Sequence, residues 1–568
     1  MKRVIFSLIL SAALIPAAAR PGELHIVTTG DVHGTYFNRS YIDGQPGRNS
    51  LMSVKHYVDS LRAAVGKDNV ILLDCGDFIQ GDNASYYFNY VATGEPHIMP
   101  RLVSYMGYDA CTLGNHDIET GHAVYDRIAT EMQKAGIPWL AGNAIKPDGG
   151  SYFQEYTVLR KAGRKILVMG YDNPNMDEWL SEDVFSGMRF ENLIPLVQQR
   201  VDKLRAQIRP DAVIVLVHSG TGKGDGSVLE NQGLDLFKTL RGVDVLVCAH
   251  DHNPACYTRP ECVLVNGGAR SANVGHAVLR FKCRKVVERT AETVRMDRRR
   301  VDEAMVAAFD RDWQVVRDFT ITKVGTLTMP LLSREAYAGM CSYIDFLQTV
   351  QMKAGGADIS LAAPLSFNSV VKAGDVIFND MFKIYPFENQ LFVLELTGRE
   401  IRNLLEFSYN RWIVTPGDHI LNIREGSDAR TGAVRWSFVE RSYNFDAAAG
   451  INYTVDVTKP FGSRVCILSL ADGRPFDPDG RYKVAMTSYR ANGGGALLTS
   501  GAGIPREEIP GRVVAKYPEI REFLYGFIKE HGVVDPSLIS DRSFLGSWEF
   551  VPQTVAAPLL VKDMSLMF

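Results

Sequence analysis

The sequence predicts a layered α/β domain followed by a second domain with its own strands. Short apolar runs of β-type residues recur through residues 24–280 and alternate with helix-like stretches such as 54–65 and 193–208. Such alternation favours strands that are buried on both faces between layers of helices. Further strand-like runs, such as 390–395 and 482–486, then follow among Gly- and Pro-rich turns.

The length and charge of the chain limit the classes of protein it can be. With 568 residues and 46% hydrophobic content, it exceeds what one core normally holds, so two domains are expected. With a formal charge of −3, the chain has no net positive potential to attract the phosphate backbone of DNA or RNA, which argues against a nucleic acid polymer as partner. Small charged ligands remain compatible with it.

Residues 1–19 have the layout of a secretory signal peptide. A charged start, Met1-Lys2-Arg3, precedes a short apolar run and a small-residue segment, Pro16-Ala17-Ala18-Ala19. The alternative is an N-terminal membrane anchor, but a span needs about 20 apolar residues and this run is shorter. We therefore expect a secreted, periplasmic protein without a stable membrane span.

The remaining chain divides by composition. We expect a first domain over residues 22–290, a helical linker over 291–324, a second domain over 325–550 and a packing tail over 551–568. The linker is predicted because residues 301–319 carry apolar residues at helical spacing and contain neither Gly nor Pro.

The eight cysteines do not form a disulfide framework in a chain of this length. Cys256 and Cys262, close together in a predicted loop, are the pair for which a disulfide is considered. No two cysteines have metal-ligand spacing.

Five strand-like runs of the first domain end in side chains that can bind a metal. In open α/β sheets the carboxyl ends of the strands face one crevice, so groups far apart in sequence can converge there. The side chains are Asp31 and His33, Asp77, Asn115, His218, and His250 and His252.

The ligand types favour two borderline divalent ions. Imidazole nitrogens with carboxylate and amide oxygens suit Zn, Mn, Fe or Co better than calcium or copper. Asp31 and His33 are two residues apart, which in an extended segment sends both side chains to one side, and the same holds for His250 and His252. Seven ligands suffice for two ions that share a carboxylate, and such a pair, about 4 Å apart, can activate water for a phosphoryl displacement.

Each of these features alone has an ordinary explanation. A solitary Asp-x-His is most often a surface loop pair, and Gly-Asn-His-Asp can be a plain turn. Their joint order along one α/β domain is what indicates a metal site.

In order, Gly30-Asp31-x-His33, Gly76-Asp77, Gly114-Asn115-His116-Asp117, His218 and His250-x-His252 resemble the motifs of calcineurin-like metallophosphoesterases. Among these the chain is most similar to the bacterial 5′-nucleotidase and 2′,3′-cyclic-nucleotide 2′-phosphodiesterase/3′-nucleotidase group. The resemblance implies a layered metallophosphoesterase β-sandwich with flanking helices and a C-terminal α/β substrate domain. It also implies the ligand sets: one ion held by Asp31, His33, Asp77 and His252, and the other by Asp77, Asn115, His218 and His250.

By the same resemblance His116 is not a ligand but acts on the phosphate or on the leaving oxygen. Many relatives place an Asp three residues later to orient this histidine. Here that position is Glu119, which could orient the histidine in the same way through its longer side chain.

Two C-terminal segments extend the resemblance to a nucleotide-binding pocket. It implies Phe387, with Tyr385 as the alternative, and Tyr489 as two rings that clamp the base, and Asn389 as a polar contact. Without the family, Tyr385-Pro386-Phe387 would be interpreted as a core aromatic cluster. A ring stacked on a base contributes about 1–3 kcal/mol and tolerates any base.

Departures from the 5′-nucleotidase pattern bear on the substrate. Those enzymes usually carry an upstream Gly-rich segment that ends in Arg, and an Asp after a Gly pair, where this chain has residues 362–368 and Gly495. We therefore favour the cyclic-nucleotide 2′-phosphodiesterase/3′-nucleotidase branch. Alternatives are a 5′-nucleotidase/UDP-sugar hydrolase, a sulfur-ester hydrolase, and a non-catalytic exported nucleotide-binding protein.

Overall fold

A computed structural model describes residues 22–180, 182–387, 389–427 and 432–568. The predicted signal peptide, residues 1–19, lies outside the described residues. Among the helices that are described, none has the length and apolar character needed to span a membrane. The chain forms two compact units, the first extending to Val316 and the second consisting of Arg317–Phe568 together with the short segment Glu178–Ser181.

The first unit contains two six-stranded mixed sheets. In the first sheet the parallel strands have antiparallel strands at one edge, and in the second they have an antiparallel strand at each edge. In spatial order the first sheet consists of Lys285–Arg295, Asn273–Lys282, Glu23–Thr29, Val70–Asp74, Ala110–Thr112 and Trp139–Leu140. The second consists of Ala255–Arg259, Cys262–Asn266, Val245–Cys248, Ala212–Val217, Arg164–Tyr171 and Tyr156–Lys161.

The two sheets share one apolar core, and helices cover their outer faces. Ile214 and Leu216 point into the core between the sheets, where they join Ile26 and Ile71 of the first sheet. Val215 points to the opposite face, because successive residues of a strand alternate. Strands buried on both faces must be continuously apolar, which is the pattern that the sequence shows.

The helix Leu193–Ile208 illustrates how the outer layer forms. Asn192 caps it by accepting a hydrogen bond from the backbone N–H of Ile194 at 3.2 Å. Its apolar residues at helical spacing are buried against the second sheet. The predicted helix matches these bounds, and the predicted helix 54–65 lies within Leu51–Val65. The other longer helices of this unit are Ile98–Met106, His122–Ala135 and Gly233–Thr239.

The predicted linker, residues 291–324, starts inside a strand. Lys285–Arg295 is an edge strand. Charged residues interrupt its apolar residues, so it does not show the continuous apolar run that is expected of a buried strand. Two helices, Glu303–Ala308 and Asp310–Thr320, then occupy most of the predicted helical segment.

The second unit is built on a five-stranded mixed sheet. Its strands, in spatial order, are Ala447–Ala449, Ile359–Ala362, Arg481–Thr487, Gln390–Thr397 and Val513–Glu519. Its longer helices are Ser342–Gly355, Gly398–Trp412, Ile520–His531 and Gln553–Met567. The predicted strands 390–395 and 482–486 both lie in this sheet.

The cysteine pair considered from the sequence does not form a disulfide, and all eight cysteines are free. Cys256 lies opposite Val265 in an antiparallel pair, while Cys262 lies opposite Arg259. Three residues along a strand separate the two positions by about 10 Å, which is beyond the reach of a disulfide.

Candidate metal centre and aromatic pocket

Two clusters of potential metal ligands lie in the first unit. One consists of Asp31, His33 and His252, and the other of Asp77, His218 and His250. Within each cluster one ligand atom per residue lies within 4.8 Å of the others. Four of the strand ends identified from the sequence therefore meet in space.

Asn115 completes the set of seven predicted residues, and Asp77 lies between the two clusters. One oxygen of Asp77, Oδ2, lies 3.1 Å from His218 Nε2 and 3.9 Å from His33 Nε2, so this carboxylate faces both clusters. Asn115 Oδ1 lies 2.9 Å from His250 Nδ1. The geometry is that of two adjacent sites with Asp77 between them.

The orientation of the imidazoles fits divalent cations. The Nδ1–H of His218 donates to the Cys75 carbonyl at 2.7 Å, which leaves the lone pair of Nε2 directed to the centre. That Nε2 atom is buried, and its 3.1 Å contact with Asp77 Oδ2 does not have the geometry of a hydrogen bond. His33 Nδ1 likewise donates to the Gln80 carbonyl at 3.0 Å. An imidazole whose other ring nitrogen donates to a backbone carbonyl is typical of metal ligands.

The charges of the centre also favour cations. Burial raises the pKa of Asp31 well above its usual value. Burial would likewise raise the pKa of Asp77, but His218 and His116 hold it well below the usual range. Divalent ions would compensate two carboxylates that are both fully shielded from water.

Five of the seven residues have left-handed backbone conformations. Their φ angles are 49° at Asp31, 49° at His33, 57° at Asp77, 80° at His250 and 58° at His252. The prediction that the segments 31–33 and 250–252 are extended is therefore wrong. The chain turns sharply at the end of each of the two strands. Such conformations cost about 1–3 kcal/mol per non-glycine residue and concentrate at functional sites.

Asp117, which the sequence analysis did not single out, holds two of these loops together. Its carboxylate accepts the backbone N–H groups of Asp77, Phe78, Ile79 and Gly114 at 2.9–3.0 Å. The loops approach so closely that a Cβ on Gly76, at φ 92°, would lie 2.7 Å from the Gly114 nitrogen. In the sequence, the position of Asp117 as the last residue of the Gly-Asn-His-Asp motif was the feature that could have identified its role.

His116 and Glu119 lie beside the centre as the resemblance implies. His116 Nδ1 is 2.6 Å from Glu119 Oε2, and the same oxygen accepts a hydrogen bond from Gln80 Nε2 at 3.0 Å. The His116 ring is 5.5 Å from that of His33. Glu119 can therefore orient the imidazole despite its longer arm.

A cavity of about 240 Å³ in the second unit carries the predicted aromatic residues. Phe387 and Tyr489 line it and remain 39% and 41% exposed. Tyr443, which the sequence analysis missed, stands nearly perpendicular to both rings, at centroid distances of 6.0 and 6.1 Å. The three rings thus form two walls and a connecting side of an open pocket.

Tyr385, the alternative clamp residue, is not part of this pocket. Its side chain is fully buried, whereas Phe387, two residues later, is exposed. Its hydroxyl lies 3.4 Å from Nδ2 of Asn389, which does line the cavity. Tyr385 therefore supports Asn389 rather than a ligand.

A buried ion pair forms the polar side of the pocket. Arg490 Nη2 donates to Asp446 Oδ2 at 2.6 Å, and both residues line the cavity. Arg490 Nη1 also lies 3.3 Å from Asn444 Oδ1. These groups occupy the space beside Gly495, where a Cβ would lie 2.3 Å from Asn444 Oδ1.

Comparisons with known proteins agree with these features. The family model described as calcineurin-like phosphoesterase matches residues 24–254. The model described as the 5′-nucleotidase C-terminal domain matches residues 323–499. The predicted family resemblance and fold class are thereby confirmed.

Similar full-length proteins cover most of the chain at low identity. A 2′,3′-cyclic-nucleotide 2′-phosphodiesterase/3′-nucleotidase of Haemophilus influenzae is 24% identical over 94% of this chain and 88% of its own length. The trifunctional nucleotide phosphoesterase protein YfkN of Bacillus subtilis is 23% identical over 94% of this chain, which spans only 40% of that protein. A Staphylococcus aureus structure solved as a candidate 5′-nucleotidase has the same fold, with a TM-score of 0.71 and 19% identity over 93% of this chain and 99% of that chain.

Proposed function

Because the chain belongs to the calcineurin-like phosphoesterases and carries a 5′-nucleotidase C-terminal domain, we propose that it hydrolyses 2′,3′-cyclic nucleotides and 3′-nucleotides. The family is one of metal-dependent phosphoric ester hydrolases, and the curated relatives are named as nucleotide phosphoesterases. The cyclic and 3′ preference is our own inference.

The observation that carries the proposal is the convergence of seven side chains from five strand ends, with Asp77 between the two clusters. Two divalent ions, when bound by these residues, would activate a water molecule and neutralise charge on the phosphate. Zn, Mn, Fe or Co suits the nitrogen and oxygen donor set.

His116 is assigned the proton transfer to the leaving ribose oxygen. Its Nδ1 is engaged by Glu119 Oε2, so Nε2 is the nitrogen that would meet the phosphate ester. Glu119 fixes the orientation of the ring, in the manner of an acid–base catalyst with an orienting carboxylate.

The second unit is assigned the nucleoside. Phe387 and Tyr489 would stack on the base, and Asn389 would contact its polar edge. Tyr443 would limit how far the base enters between the two rings.

The surroundings of Gly495 support the 3′ and cyclic branch over the 5′-nucleotidases. A carboxylate at this position, as the 5′-nucleotidase pattern has, would collide with Asn444 and Arg490. The chain therefore lacks one nucleotide contact of the 5′-nucleotidases and fills its place with a buried ion pair.

We place this activity outside the cytoplasm, in the periplasm or the medium, on the pattern of residues 1–19.

A non-catalytic binding protein would not need the complete ligand set.

A rate comparison on 2′,3′-cyclic AMP, 3′-AMP, 5′-AMP and bis-p-nitrophenyl phosphate, with Mn²⁺ or Zn²⁺ added, tests the proposal. We expect the first two nucleotides to be the best. A higher kcat/KM for 5′-AMP would assign the chain to the 5′-nucleotidases, and no phosphate release from any nucleotide would reject hydrolysis.

A further inference from the structure

One wall of the aromatic pocket is formed by the end of the strand Ile359–Ala362 and by the loop that follows it. Ala362, Ala363 and Leu365 line the cavity together with the aromatic rings. They belong to residues 362–368, the segment that departs from the 5′-nucleotidase pattern. The shape of the pocket depends on where this loop is held.

Tyr337 holds the far end of this loop through its hydroxyl group. The O–H is shared between the carbonyl oxygens of Ser366, at 3.3 Å, and Phe367, at 3.2 Å. A second anchor is the hydroxyl of Ser442, which donates to the Pro364 carbonyl at 3.1 Å. Ser442 precedes Tyr443, so the loop is also connected to the ring at the side of the pocket.

Phe568 packs on both parts of the first anchor. Its ring is stacked on that of Tyr337, with centroids 6.0 Å apart and planes 4° apart. It also lies 4.8 Å from the ring of Phe367. A ring in contact with both the anchor and the anchored residue restricts how the loop can shift.

The helix that precedes Phe568 is itself fixed to the core of the second unit. Asp563, which is fully buried, accepts the backbone N–H groups of Ile420 and Leu421 at 2.8 and 2.9 Å. It also lies 2.6 Å from His419 Nδ1. Ala556 and Leu560 of the same helix belong to the apolar core. The position of Phe568 is therefore determined by buried contacts.

We propose that Phe568 and Tyr337 are positioning residues for nucleotide binding, acting through the loop 362–368. The helix Gln553–Met567 then has a functional role that its sequence alone does not reveal. This inference rests on the proposed function, in which the pocket holds the nucleoside.

The test uses Tyr337→Phe, which removes the hydroxyl and keeps the ring, and Phe568→Ala, which removes the ring. We expect each to raise KM for 3′-AMP and the Kd of adenosine, measured by calorimetry, about three- to tenfold, because each removes one contact to the loop. The kcat/KM for bis-p-nitrophenyl phosphate, which has no base, should stay at the wild-type value. The double variant should lose little more than the larger single variant, since both act on one loop.

Matched variants separate positioning from general stability. Val561→Ala, on the same helix but 72% exposed, should change neither constant, and Phe568→Tyr should restore nucleotide KM. Unchanged KM and Kd in Tyr337→Phe and Phe568→Ala, even with a lower melting temperature, would overturn the inference. If the wild type binds adenosine but hydrolyses no nucleotide, the proposed function fails, while the adenosine constants still decide the positioning role.

Discussion

His33 and His252, 219 residues apart in sequence, face each other with their Nε2 atoms 2.9 Å apart. Since His33 Nδ1 donates to a backbone carbonyl, its Nε2 carries a lone pair that faces the other imidazole. A shared cation is the natural partner for two nitrogens in this arrangement.

Removal of metal should therefore destabilise the protein as well as inactivate it. Ions that bind only the folded state contribute about 2.7 kcal/mol at a concentration 100 times their Kd. We expect a chelator to lower the melting temperature by several degrees and added Mn²⁺ or Zn²⁺ to restore both stability and activity. An identical melting curve with and without chelator would argue against the clusters as metal sites.

Substitution of His116 should separate catalysis from metal binding. Loss of a general acid typically lowers the rate about 10²–10⁴-fold. We expect His116→Ala to fall in that range with its metal content, measured by mass spectrometry, unchanged. Glu119→Gln should lose less, because the ring stays in place but loses its orienting charge. Loss of metal from His116→Ala would make this histidine a ligand instead.

Tyr489→Ala should weaken nucleotide substrates selectively. Loss of one stacking contact weakens binding of the base by about 1–3 kcal/mol, so kcat/KM for 3′-AMP should fall about five- to 150-fold. Rates on bis-p-nitrophenyl phosphate should remain near those of the wild type. Phe461→Ala, which removes an exposed ring of the same unit outside the pocket, is the matched control. Equal losses on both substrates would count against the clamp.

A buried histidine pair away from the metal centre should limit stability in acid. His25 Nδ1 and His276 Nε2 lie 3.0 Å apart, and Tyr57 and Glu292 are the polar groups that face His276. Burial, reinforced by His25, lowers the pKa of His276 to about 4. Burial also lowers the pKa of His25, although Glu23 opposes this.

The unfolded chain, with histidine pKa values near 6.5, therefore takes up protons before the folded chain does. We expect the free energy of unfolding to fall as the pH drops from about 6.5 to 4, by roughly 3 kcal/mol at most from His276. Denaturant titrations should show a weaker decline for His276→Gln than for the wild type, while His56→Gln should follow the wild type. Parallel declines in all three proteins would contradict this explanation.

The sequence was sufficient to locate the central, buried strands of the first unit and the seven clustered side chains. Buried parallel strands require continuous apolar runs, and their carboxyl ends share one edge, so the polar residue after each run could be assigned to that edge. The edge strand Lys285–Arg295 was not predicted, because none of its residues is fully buried and it has no long apolar run.

Other features depend on tertiary contacts that no local pattern encodes. The left-handed turns at Asp31 and His33 exist because other loops fix them, as Asp117 does for the loop that carries Asp77. Tyr385 and Phe387 have similar local sequence character, but only packing decides that the first is buried and the second is exposed. Tyr443 belongs to the pocket for the same reason.

The rate of bis-p-nitrophenyl phosphate hydrolysis by Asp77→Asn, with saturating Mn²⁺, tests the shared metal centre most directly. Asp77 faces both ligand clusters through one oxygen, and asparagine keeps its shape but not its charge. We expect activity to be abolished while the protein stays folded. Retention of most of the wild-type rate would contradict a centre built around this carboxylate.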